Sequence, residues 1–266
     1  MDSIASSLLI EIYSSIDVFL LILIRILGFV IVIPIFSGQN VPMPVKLGFS
    51  VAVTYILATT QTISVSYTFT IPAYTFMMIK EFLVGFLLAF VVYIVFSIIH
   101  FAGQMMDYQI GFSMVSVYDP VSQVQVPITG NLFYFVVLYF FVVTGGLHNV
   151  VHALFYSYIL LPIDSAVLLD NSELVSYFLS LLLAYFVLGV QIAMPIMGSI
   201  LILDIALGLL VKAVPQMNIF VVGVPLKLFL GVIILIPVSA IYYDIYDILY
   251  AESMRAMSDV IRSIRP

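Results

Sequence analysis

Apolar positions run in six long blocks, at 16–36, 47–65, 77–101, 131–160, 174–210 and 217–243, separated by short stretches where Gly, Pro, Ser, Thr and Asn gather. A membrane-crossing helix needs about 20 largely apolar residues, so each block is long enough, or nearly so, for one. The fourth is interrupted by TGGLHN at 144–149, and the fifth contains Pro195. Proline removes a backbone donor and kinks a helix, so 174–210 reads as one long bent helix or two short ones. The pattern predicts an all-α polytopic membrane protein with about six hydrophobic segments, within a range of five to seven. No fixed-period repeat and no separate soluble domain is visible, so residues 1–266 are read as a single membrane domain.

The connections differ in character. SGQNVPMP at 37–44 is a strong breaker, with two prolines and a glycine. Residues 64–72 are rich in Ser and Thr and end in Ile71-Pro72, an extended turn. LPIDSAVLLDNSE at 161–173 carries three acids and helix-start chemistry at Asn171 and Ser172. The tail at 251–266 mixes charges with apolar residues and is expected to form an amphipathic helix at an interface. Its Arg255, Arg262 and Arg265 favour a cytoplasmic C-terminus. Gly85-xxx-Ala89 and Gly189-xxx-Ala193 place small residues four apart, a spacing that lets helices approach closely.

Composition sharpens the class. The chain is 64% hydrophobic and 8% charged, against about 25% charged in soluble domains. Its mean hydropathy is +1.27. Fourteen acids against eight bases give a net charge of -6 and no basis for nucleic-acid binding. Without cysteine there are no disulfides, thiolate metal sites or cysteine nucleophiles. Without tryptophan, tyrosines such as Tyr156, Tyr158, Tyr242, Tyr243, Tyr246 and Tyr250 either supply an aromatic belt or serve ordinary packing. The N-terminus has no basic region or cleavage site of a signal peptide, so 16–36 is expected to be retained.

Charges within apolar blocks cost roughly 2.5–3.5 kcal/mol each to insert and therefore need partners or water. Those singled out are Arg25, Lys80, Glu81, Asp204 and Lys227 inside the blocks and Lys212 just after the fifth. They read as structural pairs or subunit contacts, and Arg25 is expected to pair with Glu81. The competing reading, a small ion-coupled secondary transporter, would use Arg25, Glu81, Asp204 and Lys227 as its ion site. Asp204 and Lys212 are eight apart, only roughly on one side of a helix. No metalloprotease, serine-hydrolase or phosphate-loop motif is present, and the His148/His152 pair has no acidic companion at a helpful spacing. No enzyme activity, metal or cofactor is expected.

Residues 101–130 form the least ordinary connector. At 108–120 the sequence reads YQIGFSMVSVYDP, with one charge and many apolar side chains. Disorder needs high charge and low hydrophobicity. Non-helical backbone at membrane depth must be buried in protein or line a cavity. Flexible Met105, Met106 and Met114 suit a closable seal, Gly103 and Gly111 permit bends, and Asp119-Pro120 favours a turn. Composition does not separate a seal from a space-filling re-entrant segment.

Four motifs then carry a family resemblance: RILGFVIVIPIFSGQNVPMPVKLGFSVAV at 25–53, KEFLVGFLLAF at 80–90, GQMMDYQIGFSMVSVYDPVSQ at 103–123, and DIALGLLVKAVPQMNIFVVGVPLKL at 204–228. In order and spacing the chain resembles the FliR family of flagellar type III protein-export gate components, with relatives in virulence-type secretion. The resemblance implies long kinked helical hairpins in a FliP-like plus FliQ-like arrangement. It also implies assembly with FliP-like and FliQ-like subunits and a FlhB-like protein, and passage of unfolded export substrates. The setting implied is the lipid of the bacterial inner membrane, at the flagellar basal body. By position it implies a channel plug at Gly111, Phe112 and Ser113, flanked by Met105, Met106, Met114, Asp119 and Pro120. It implies an interhelical turn at Pro215, Gln216 and Asn218, with Lys212 standing where arginine is usual. The form of the third and fourth motifs leans to the flagellar branch over the virulence-type one.

Overall fold

The computed structural model describes residues 2–38, 41–60, 70–112, 127–166, 172–216, 218–240 and 242–265. Among the described residues every regular element is helical. In chain order they are α1 (Asp2–Val32), α2 (Pro34–Ser37), α3 (Met43–Thr60), α4 (Ile71–Ile110), α5 (Ile128–Val143), α6 (Gly146–Leu160), α7 (Ser172–Ala213), α8 (Ile219–Ala240) and α9 (Tyr242–Ser263). The chain divides into two compact units. The first holds Met1–Ile94, Gly146–Leu179 and Glu252–Pro266; the second holds Val95–Gly145 and Ser180–Ala251.

Prolines set several of the boundaries. α1 stops where Ile33 turns extended before Pro34, because the residue preceding proline is pushed away from helical geometry. Pro44 and Pro72 lie in the first turns of α3 and α4, where a missing N–H removes no intrahelical bond. The TGGLHN interruption is a helix break: α5 ends at Val143, and Gly145 takes φ +78° before α6 begins. Pro195, by contrast, does not divide 174–210. It lies inside the single helix α7, and Ser199 Oγ donates to the Pro195 carbonyl at 2.7 Å.

In the first unit, α3 lays the stripe Ser50, Val53, Thr54 and Leu57 inward, a helical i, i+3, i+4, i+7 face, and packs on α1. α4 is mostly apolar on every face: Val84, Leu88, Val91 and Val92 are fully buried in this unit, while Phe76, Ile79 and Leu83 are exposed. The 252–263 part of α9 buries Ser253, Ala256, Met257, Val260 and Ile261 and exposes Arg255 and Arg262. These two faces belong to a helix that starts at Tyr242 rather than near 251.

In the second unit, α7 turns one stripe inward through Tyr185, Gly189, Ala193, Ile196 and Ile200. Its opposite face, with Leu201, Ile202 and Ile205, is exposed and apolar, as are Phe220, Phe229 and Ile236 on α8. The first turns of α9 meet α5 through rings: Tyr242 stacks on Phe133 at 3.7 Å between centroids, Phe140 meets Tyr243 and Tyr246, and Phe141 meets Tyr250. Tyr242 and Tyr246 are buried. Packing, not a belt, accounts for these two tyrosines.

One boundary differs from expectation. Residues 101–110, read as the start of the connector, are the last turns of α4. Gln104, Met105, Met106 and Gln109 are good helix formers, and the terminator is Gly111, at φ +99°.

Candidate functional site: two polar centres in an apolar chain

The first centre joins α1, α4 and α6. Close approach comes first. A Cβ at Gly85 would run into the Arg25 carbonyl, and one at Gly28 would lie 2.5 Å from the Phe82 carbonyl oxygen. The two glycines thus bring the α1 and α4 backbones together. Arg25, fully buried, donates from Nε to Glu81 Oε2 at 2.5 Å, the partner expected from sequence. Its Nη1 donates to the Leu161 carbonyl at 3.1 Å and reaches Ser157 Oγ at 3.5 Å. The guanidinium lies 4.1 Å from the Tyr158 ring centroid, a cation–π contact, while the Tyr158 hydroxyl donates to the Ile22 carbonyl at 3.1 Å. Glu81 Oε1 accepts the Asp164 N–H at 3.0 Å. Asp164 holds φ +67°, and Lys80 Nζ donates to its carbonyl and carboxylate at 2.7 and 2.8 Å. A buried charge pair that also satisfies backbone groups from a third segment is a fixed cross-link.

The second centre lies where α4 ends and α5 begins. Asp107 is buried, and both its carboxylate oxygens accept the Thr129 N–H at 3.2 Å. Pro127, at the α5 cap position, offers no side-chain acceptor, so a carboxylate from α4 caps α5. Four residues back, Gly103 meets the Gly130 backbone. Ile110 fills the space beside Gly231 of α8. Gln109 Nε2 reaches Asp204 Oδ2 at 3.5 Å, and Asp204 Oδ1 pairs with Lys227 Nζ at 2.5 Å.

Asp204 thus takes its partner from the next helix and not from Lys212, whose side chain is exposed. The turn at Pro215 and Gln216 lies midway between 204 and 227, so an antiparallel hairpin sets those two positions side by side. Asn218 starts α8, its Oδ1 accepting the Phe220 N–H at 3.0 Å.

The remaining expected site residues divide in two. Met106 is fully buried on α4, Met105 is half-buried, and Gly111 and Phe112 are partly exposed at its end. Ser113, Met114, Asp119 and Pro120 lie outside the described residues. His148 and His152 are both exposed on α6, and no cluster of three metal-ligating side chains occurs among the described residues. Asp107 was not singled out from sequence. The signal that could have found it is a lone acid in an apolar stretch, facing a helix that opens with proline.

Four of the described helices are long and apolar enough to cross a membrane, or five if the broken pair α5–α6 forms one span. α1 adds the apolar stretch 16–32. Apolar outer faces around internally paired charges define an integral, all-helical, polytopic membrane protein. The family described as bacterial export proteins, family 1, matches residues 16–252, and the chain belongs to it. It is similar to the flagellar biosynthetic protein FliR of Bacillus subtilis, 30% identical over 244 residues, covering 91% of this chain and 94% of that protein. FliR of Escherichia coli K12 is 27% identical over 249 residues, covering 91% and 92%. The surface presentation of antigens protein SpaR of Shigella flexneri is 32% identical over 170 residues, covering 64% and 65%. The chain is a structural membrane component of a bacterial protein-export apparatus.

Proposed function

We propose that this chain is a structural and gating subunit of the flagellar type III protein-export channel. It sits as a multi-pass protein in the bacterial inner membrane at the flagellar basal body. Its partners are FliP-like and FliQ-like subunits and a FlhB-like protein, and it passes unfolded flagellar proteins. The observation that carries the reading is the match to flagellar biosynthetic proteins along nine-tenths of the chain. The polar centres support a scaffold role: Arg25 pairs with Glu81, leaving its buried Nη2 without a hydrogen-bond partner, and the partly exposed Asp204 pairs with Lys227, so each charge is matched within the chain. The extensive apolar outer faces of α7 and α8 suit lipid and neighbouring subunits. In this reading the segment around Gly111, Phe112 and Ser113 closes the conduit at rest, and the Pro215–Gln216–Asn218 turn lies at a subunit contact. The chain supplies no chemistry of its own; energy for export comes from other components.

Deletion of the gene is expected to abolish motility and secretion of flagellar proteins, and the chain is expected to purify with FliP-like and FliQ-like subunits. Solute uptake by the lone reconstituted chain would overturn the reading. The SpaR similarity favours a second branch, virulence-type secretion. Intact motility with lost virulence-type secretion on deletion would select it. For the plug, replacing Gly111 and Phe112 with a Ser-Ser pair is expected to raise resting ion leak. A tight membrane with unaffected export would remove the plug assignment.

A further inference from the structure

We infer that Asp107 is a positioning residue of the export gate, latching the N-terminus of α5 to the last turn of α4 with the help of the Gly103–Gly130 contact. The inference rests on the gating role proposed above. In the first turn of α5, Ile128 faces outward, whereas Thr129 is 1% exposed and Gly130 is enclosed. The first N–H groups of a helix have no intrahelical acceptor, and a buried one needs another partner. Pro127 supplies none, and the Asp107 carboxylate takes the Thr129 N–H instead.

The dependence runs both ways. Asp107 is 4% exposed, and among the described residues no lysine, arginine or histidine pairs with it. An isolated buried carboxylate is costly. The positive end of the α5 dipole is the compensation on offer. Aspartate has a short side chain, so this contact also demands that the two backbones come close. Gly103, one turn before Asp107 on the same face of α4, provides that: a Cβ there would collide with the Gly130 backbone.

The latch occupies a definite place. α4 and α5 meet in antiparallel register through Phe96 with Phe141, His100 with Tyr134, Gly103 with Gly130 and Asp107 with Thr129. Asp107–Thr129 is the last of these contacts before the two helices part. Among the contacts between α4 and α5, it is the first to bear a pull on the chain beyond Ile110, behind Ile110 beside Gly231 and Gln109 at Asp204 on α8 and α7. The residue acts through α5, not on the exported chain.

The experiment uses the full chain in the purified export-gate complex and, in parallel, in cells. Asp107→Leu, Asp107→Asn and Gly103→Ala are compared with Gln104→Ala, an exposed neighbour. Amide hydrogen exchange is read at residues 129–131, and resting ion leak and export are measured in cells. Loss of a cap predicts about 2- to 30-fold faster exchange at those amides in Asp107→Leu. Resting leak is expected to rise with it. Asp107→Asn keeps an acceptor and should fall between wild type and Leu, and Gln104→Ala should match wild type. If Asp107→Leu fails to assemble, Gly103→Ala is expected to show the same faster exchange with the carboxylate still present. Unchanged exchange at 129–131 in both variants overturns the latch. Faster exchange with a tight membrane and normal export overturns the gating role instead, which separates the two failures.

Discussion

Replacing Glu81 with leucine leaves the Arg25 guanidinium fully buried beside Tyr158 with no carboxylate. Removing one partner of a buried pair costs about 3–5 kcal/mol, mostly from the uncompensated charge. Arg25→Met should cost a similar amount, because Glu81 then keeps only the Asp164 N–H. Additivity would put the double variant at about 6–10 kcal/mol. The structure predicts less. With both charges gone, the losses are the Asp164 N–H and the Leu161 carbonyl, two backbone groups at about 1–3 kcal/mol each. The double variant should therefore cost about 2–6 kcal/mol, a coupling of about 4 kcal/mol. A charge swap is a poorer test, because the site is asymmetric: Arg25 faces a carbonyl and Glu81 faces an N–H. The assay is the fraction of chain recovered in the assembled complex, with thermal unfolding in detergent. Both single variants should lose assembly, and the double should be about as impaired as either one, well short of the two losses combined. A double variant as impaired as the two losses combined would show that the charges are not coupled and refute the reasoning.

Other perturbations follow from the same geometry. Gly85→Ala should cost about 1–3 kcal/mol by forcing α1 and α4 apart, whereas Gly48→Ala, with open space around it, should be neutral or slightly stabilising; complex yield reports both. Asp164→Gly keeps the N–H to Glu81 and accepts φ +67° freely, so it should be tolerated, while Asp164→Val should lower the melting temperature. Lys80→Ala breaks a pair whose acid is about half exposed and should cost no more than about 1 kcal/mol by the same measurement.

Much of the scaffold was legible because the physics was local. Six apolar blocks gave the helices, Gly145 marked the break in the fourth, and two isolated opposite charges in apolar surroundings gave Arg25–Glu81. Pairings that depend on topology were harder. Asp204–Lys227 requires knowing that 215–216 is a tight turn, and Asp107–Thr129 joins residues 22 apart across a connector that composition leaves open. The α4 boundary was misread because Gly103 suggested a bend. In a helix that packs on another glycine, it serves close approach and leaves the helix intact. The plug residues Ser113, Met114, Asp119 and Pro120 lie outside the described residues, and their role remains the proposal made above.

The separation along the chain of the groups around Arg25 has a consequence for how the protein is made. Glu81 follows Arg25 by 56 residues, and Leu161 by 136. At about 5–20 residues per second, the arginine waits about 3–11 s for its carboxylate and about 7–27 s for its carbonyl. Through that interval α1 carries a lone cation whose insertion costs roughly 2.5–3.5 kcal/mol. The first helix of the chain is therefore among the last to be settled, and its final seating is timed by the synthesis of α4 and of the residues that follow α6.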